Sequence, residues 1–141
     1  MAAYDPDNIF AKILKGEIPC HKLYEDGDSL AFLDIMPRTE GHTLVVTKEQ
    51  APDLFGISPE GLGKLMAVVQ KLAPQIKRAV GADGVLIQQF NGAAAGQTVF
   101  HLHVHIVPIK EGVAPKPHAG AMADQDDLAA AAEKIRKVLK A

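Results

Sequence analysis

Val99-Phe100-His101-Leu102-His103-Val104-His105-Ile106-Val107-Pro108 holds three of the chain's six histidines, each separated from the next by one aliphatic residue. Successive side chains of a β-strand point to opposite faces. As a strand, this stretch sends His101, His103 and His105 to one face and Leu102, Val104 and Ile106 to the other. The aliphatic row asks for a core. The imidazole row repeats at roughly 6.6–7 Å, twice the strand rise. The expected strand runs from Thr98 to about Ile109.

Outward from it, Val85-Leu86-Ile87-Gln88-Gln89-Phe90 reads as a second strand, joined by the small-residue loop 91–97. So short a connection favours an antiparallel hairpin. Upstream, residues 20–25 and 29–35 form two strand candidates about the turn-type Asp26-Gly27-Asp28. His42-Thr43-Leu44-Val45-Val46-Thr47 is rich in β-branched residues, which suit a strand. Ser58-Pro59-Glu60 opens a helix with serine at the cap and proline in the first turn. Leu62, Leu65, Met66, Val69, Leu72, Ile76 and Val80 continue it at helical spacing, with Met66 read as core. Pro74 should kink that helix or end it early, and Gly81 stops it. Asp7 or Asn8 caps a short helix to about Lys15, after a terminus (1–6) expected to fray. Residues 111–123 read as irregular, and Asp124 or Asp126 caps a terminal helix over about 124–140. The order α-β-β-β-α-β-β plus a tail helix predicts an α+β fold, an antiparallel sheet with helices on one face.

The chain has 141 residues and a formal net charge of −2. That length predicts a single domain, 1–141, able to bury a core without disulfides or metals. The charge argues against a broadly basic nucleic-acid surface. One cysteine, Cys20, is compatible with a reducing compartment. No signal peptide and no membrane-length apolar run are present, so a cytoplasmic location is expected.

Three readings compete for the histidine row. It is a set of surface imidazoles, a metal site, or a catalytic site. On an ideal strand the outer pair lies about 13–14 Å apart. All three therefore cannot reach one ion at metal–nitrogen distances near 2 Å, and Cys20, His21, His42 and His118 show no convincing ligand spacing. For catalysis, neutral imidazole is a competent nucleophile near pH 7. The middle histidine has an imidazole on each side to hold a proton or stabilise phosphate charge. The loop Asn91-Gly92-Ala93-Ala94-Ala95-Gly96-Gln97-Thr98 lets backbone N–H groups approach phosphate oxygens, with Gln97 and Thr98 as side-chain donors.

The run Gly96-Gln97-Thr98-Val99-Phe100-His101-Leu102-His103-Val104-His105-Ile106-Val107-Pro108 resembles the signature of the histidine triad (HIT) family, His-φ-His-φ-His-φ-φ with φ apolar. Asn8-Ile9-Phe10-Ala11-Lys12-Ile13, Gly16-Glu17-Ile18-Pro19, Ala31-Phe32-Leu33-Asp34-Ile35 and Gly41-His42-Thr43-Leu44-Val45-Val46 are similar to its Hint-like, nucleoside-phosphoramidase branch. The similarity covers about residues 8–110. The tail after Glu111 looks more like bacterial members than eukaryotic ones.

The resemblance implies a five-stranded antiparallel sheet and a homodimer whose sheets join. It implies binding of a purine nucleotide and hydrolysis at the α-phosphorus of nucleoside 5′-phosphoramidates or related conjugates, without metal or other cofactor. His103 matches the nucleophile, and His105 the residue at the phosphate or leaving atom. His101 and His42 match residues that order the site. Asp34 matches the acid on the ribose hydroxyls, and Ile35, Phe10 and Ile18 the base contacts. Asn91, Gly96, Gln97 and Thr98 fall on the phosphate side. Dinucleoside polyphosphate hydrolysis, or a nucleotide-binding module with incidental activity, are the alternatives. Some bacterial relatives carry a Cys-x-x-Cys pair that helps hold a structural zinc. The positions here are Asp7 and Phe10 or Ala11, Cys20 is no replacement, and no such zinc is expected. His21 and His118 read as surface histidines.

Overall fold

The computed structural model describes residues 3–140, so Met1, Ala2 and Ala141 of the expected domain lie outside the described residues. The elements in chain order are α1 (Ile9–Leu14), β1 (Lys22–Glu25), β2 (Ser29–Leu33), β3 (Thr43–Thr47), α2 (Pro59–Val80), β4 (Gly84–Gln88), β5 (His103–Ile109) and α3 (Gln125–Lys140). The strands form one five-stranded sheet of order β1-β2-β3-β5-β4. Every neighbouring pair is antiparallel. The expected hairpin is β4–β5, with Gln88 opposite His105.

Strand alternation divides the sheet into two faces. Ala31, Leu33, Val45, Leu102, Val104 and Ile106 join one core with Leu65, Leu72 and Ile76 of α2 and Leu128, Ala132 and Ile135 of α3. Leu30, Phe32, Leu44 and Val46 join Phe10 of α1 on the other face. The expectation of helices on one face holds for α2 and α3 and fails for α1. The cause is local: Asn8 caps α1 by accepting from the Ala11 amide at 2.9 Å, and Phe10 turns into the histidine face.

Several expected boundaries move. β5 begins at His103, not Thr98, because β3 runs out just past the Val46–His103 pair. Beyond it the Leu102 amide donates to the Ala51 carbonyl at 2.8 Å instead of extending the ladder. β4 stops at Gln88, and Asp34 and Ile35 lie past the end of β2. α2 neither ends nor breaks at Pro74. Pro74 and Gln70 are both exposed, so the carbonyl that proline leaves unbonded faces solvent. Met66 is 40% exposed, not core, since the buried stripe runs through Leu65, Val68, Val69, Leu72 and Ile76. The terminus expected to fray is tied down where it is described: the Tyr4 hydroxyl reaches His101 at 2.9 Å. Among the described residues no helix is long and apolar enough to cross a membrane.

Candidate active site

Gly41 adopts φ 86, and a Cβ there would lie 3.0 Å from Val80, so glycine suits this turn into β3. The turn brings His42 beside β5. His42, His101, His103 and His105 are all buried. His42 Nε2 lies 2.9 Å from His105 Nδ1, and the rings of His103 and His105 lie 5.0 Å apart between centroids. Phe10 meets the His103 ring edge-on at 4.8 Å.

The backbone determines where each proton sits, because an amide only donates and a carbonyl only accepts. The Arg38 amide donates to His42 Nδ1 at 3.0 Å, so the His42 proton is on Nε2. His42 Nε2–H then donates to His105 Nδ1, which puts the His105 proton on Nε2. That Nε2 is buried and has no hydrogen-bond partner among the described residues. His103 runs the other way. Its Nδ1–H donates to the His101 carbonyl at 2.6 Å, leaving Nε2 as a lone pair. His101 donates from Nε2 to the Thr47 carbonyl at 2.7 Å and accepts the Tyr4 hydroxyl on Nδ1. The pair beside the cavity is therefore one lone-pair nitrogen, on His103, and one free N–H, on His105.

Burial holds these rings neutral. It pushes His42 down to about 3, His103 to about 4 and His105 to about 2. His101 is lowered for the same reason. Burial pushes the Asp34 carboxyl above its ordinary value, against the Met36 amide that bonds it. Asp34 Oδ2 lies 3.5 Å from His42 Nε2, a polar contact rather than an ion pair while His42 is neutral. Asp34, His42 and His105 place one ligand-type atom each within 4.8 Å of one another. The shared nitrogen pair already holds a proton at hydrogen-bond distance, so a cation would have to displace it.

Phe10, Ile18, Asp34, Ile35, Thr98, His103 and His105 line one cavity. Cys20 borders its apolar end, half-buried, with burial pushing the thiol up. The other expected site residues stand behind the wall. His42 backs His105, and His101 braces His103. Asn91 accepts the Leu54 amide at 2.8 Å and pairs with Gln89. Gln97 is buried, not a donor to the cavity: its Nε2 donates to the carbonyls of Pro52 and Val99, and its Oε1 accepts the Gly92 amide. The loop's amides at Ala95, Gly96 and Gln97 close on Gly92 and Ala93. Those of Thr98 and Val99, which edge the cavity, have no partner among the described residues.

Three contributors escaped the sequence reading. The Arg38 amide sets the proton order. Tyr4 supports His101. His118, expected on the surface, lines the cavity and meets His105 edge-on at 5.3 Å between centroids. Arg38 and Tyr4 act through backbone geometry and a terminus, for which the sequence offers no signal. His118 carried the signal of its residue type but sits in an aperiodic segment.

A HIT domain matches residues 15–112. Adenosine 5′-monophosphoramidase hnt1 of Schizosaccharomyces pombe is 44% identical over 71% of this chain and 72% of that protein. Adenylylsulfatase HINT3 of Arabidopsis thaliana is 42% identical over 74% of this chain but only 53% of that longer protein. The crystal structure of a HIT-like protein from Bartonella henselae superposes with a TM-score of 0.92 at 44% identity, covering 97% of this chain and 99% of the other.

Proposed function

The chain belongs to the HIT-domain family, and from that premise we propose that it is a nucleotide hydrolase acting at the α-phosphorus of purine nucleoside 5′-phosphoramidates or related conjugates. The observation that carries this reading is the complementary proton placement on His103 and His105. The His103 Nε2 lone pair forms a bond to phosphorus as the phosphorus–nitrogen bond breaks. The leaving nitrogen takes a proton that solvent supplies through the exposed Thr98 hydroxyl, and departs as a neutral amine. Positive charge growing on the His103 ring is stabilised by the His101 carbonyl on Nδ1–H. His105 Nε2–H and the amides of Thr98 and Val99 face the phosphoryl oxygens. Water then attacks phosphorus, loses a proton to solvent, and releases the nucleoside monophosphate and a neutral His103.

In this reading Asp34 accepts from the ribose hydroxyls, and Phe10, Ile18 and Ile35 hold the base. No metal or other cofactor takes part. The names of the yeast and plant relatives, a monophosphoramidase and an adenylylsulfatase, favour adenosine conjugates as substrates. We further propose that two copies join their sheets through β4. This strand is an edge of the sheet, and Ile87 on it is 43% exposed near Met66 of α2.

The test is turnover of adenosine 5′-phosphoramidate by wild type and His103→Ala, with rapid-quench detection of an AMP–protein adduct. His103→Ala should lose turnover and the adduct while still binding AMP. Normal turnover by that variant would overturn the mechanism.

A further inference from the structure

His118 is the imidazole beside the cavity that the triad does not supply. It comes from the irregular segment 111–123, which crosses the site as a strap. The strap is fastened on both sides of His118. The Lys116 amide donates to the Arg38 carbonyl at 2.8 Å, and Arg38 Nε donates back to the Lys116 carbonyl at 2.9 Å. Further on, the Ala123 amide donates to the Ile35 carbonyl at 2.9 Å. Between these ties Ala119 adopts φ 52, a left-handed backbone uncommon for a residue with a Cβ.

The His118 ring packs on Phe90, 4.9 Å between centroids, and its Nε2 lies 2.9 Å from the Gly96 carbonyl. Since a carbonyl only accepts, Nε2 carries the proton. His118 Nδ1 then has no partner among the described residues and is the ring's one unengaged polar atom.

Resting on the hydrolase reading above, we propose that His118 contacts the group beyond the α-phosphorus and favours conjugates whose leaving group is an anion, such as a sulfate or phosphate. The direction follows from the layout of the cavity. Phe10 packs on the His101–His103 end of the row, and His118 stands at the His105 end. With the base at Phe10 and Ile18 and phosphorus at His103, the leaving group extends toward His105 and His118. The chemistry follows from burial. His42, His103 and His105 are buried, whereas His118 is half-exposed. A ring that keeps contact with water carries a charge at a smaller desolvation cost.

The experiment is equilibrium binding of AMP and of α,β-methylene-ADP, whose second phosphorus occupies the leaving-group side and cannot be cleaved there. Wild type, His118→Ala and His118→Gln are compared by calorimetry. Glutamine keeps an N–H for the Gly96 carbonyl but carries no charge. Both variants should weaken the methylene analogue about tenfold, the scale of one charge-assisted hydrogen bond. AMP affinity should change less than about threefold, well under one such bond. Equal weakening of both ligands by alanine, rescued by glutamine, would reduce His118 to a fastener of the strap and overturn the proposal. Unchanged affinity for the analogue would overturn it as well. Failure of wild type to bind AMP would instead remove the nucleotide reading on which this contact rests.

Discussion

His42 Nε2 sits 2.9 Å from His105 Nδ1, and the Arg38 amide on the far side of the His42 ring makes that hydrogen bond run in one direction only. The direction matters because it decides whether His105 offers the cavity a proton or a lone pair. Replacing His42 with alanine frees His105 Nδ1 to carry the proton itself. The His42→Ala enzyme should lose roughly 100-fold in kcat, the scale of a misplaced acid–base group, with a much smaller change in KM. Steady-state kinetics on adenosine 5′-phosphoramidate check this. An unchanged kcat would mean that His105 keeps its tautomer without His42.

Acid behaviour follows from the depressed histidines. His103 titrates at about 4, so its lone pair persists well below the ordinary histidine range. The acid limb of kcat/KM should appear near pH 4, with no loss attributable to His103 between pH 8 and 5. A limb centred at about 6.5 would indicate a solvated nucleophile.

Stability should fall within that interval even though the His103 lone pair persists. These rings stay neutral when folded and take up protons near pH 6.5 when unfolded. Between 6.5 and the folded values the unfolded chain binds more protons, so stability is full above pH 6.5 and declines as pH falls. The slope is up to about 1.4 kcal/mol per pH unit for each proton. Urea midpoints at pH 7 and pH 5 should show the decline, and His42→Gln should flatten it.

Gln97 offers a contrast between holding a loop and holding a ligand. Alanine there strands two carbonyls and the Gly92 amide, at a cost of about 1–3 kcal/mol. Gln97→Ala should lower Tm by several degrees. A variant that loses AMP affinity with Tm unchanged would instead make Gln97 a direct phosphate contact.

Ile87 tests the joined sheets. A charge at the centre of an apolar interface is strongly unfavourable. Ile87→Glu should halve the mass seen by light scattering while leaving the circular dichroism spectrum intact. A monomeric wild type at micromolar concentration would dismiss the dimer.

Period-two spacing at residues 101–106 was enough to assign opposite faces to the imidazole and aliphatic rows, and the structure shows those faces. The strand's start was not legible, because it depends on where β3 ends, a fact about a partner distant in sequence. Pro74 and Met66 misled for a related reason. Periodicity locates a helix, but only packing decides which flank is wet. At the site, residue type suggested phosphate-side donors in Gln97 and Asn91, and tertiary contacts engage both elsewhere. His118 lies among glycine, proline and alanine, where no pattern indicates direction, and only the ties at Lys116 and Ala123 bring it inward.

Cys20, the sole thiol, borders the apolar end of the cavity, and burial keeps it in the unreactive protonated form at neutral pH. The protein thereby carries its own occupancy gauge. A slow alkylating reagent should label it at a rate set by how often that end opens. A ligand that fills the base end should slow labelling, whereas one confined to the phosphate end should not. Where a nucleotide sits becomes readable from a mass spectrum, without turnover and without an engineered reporter.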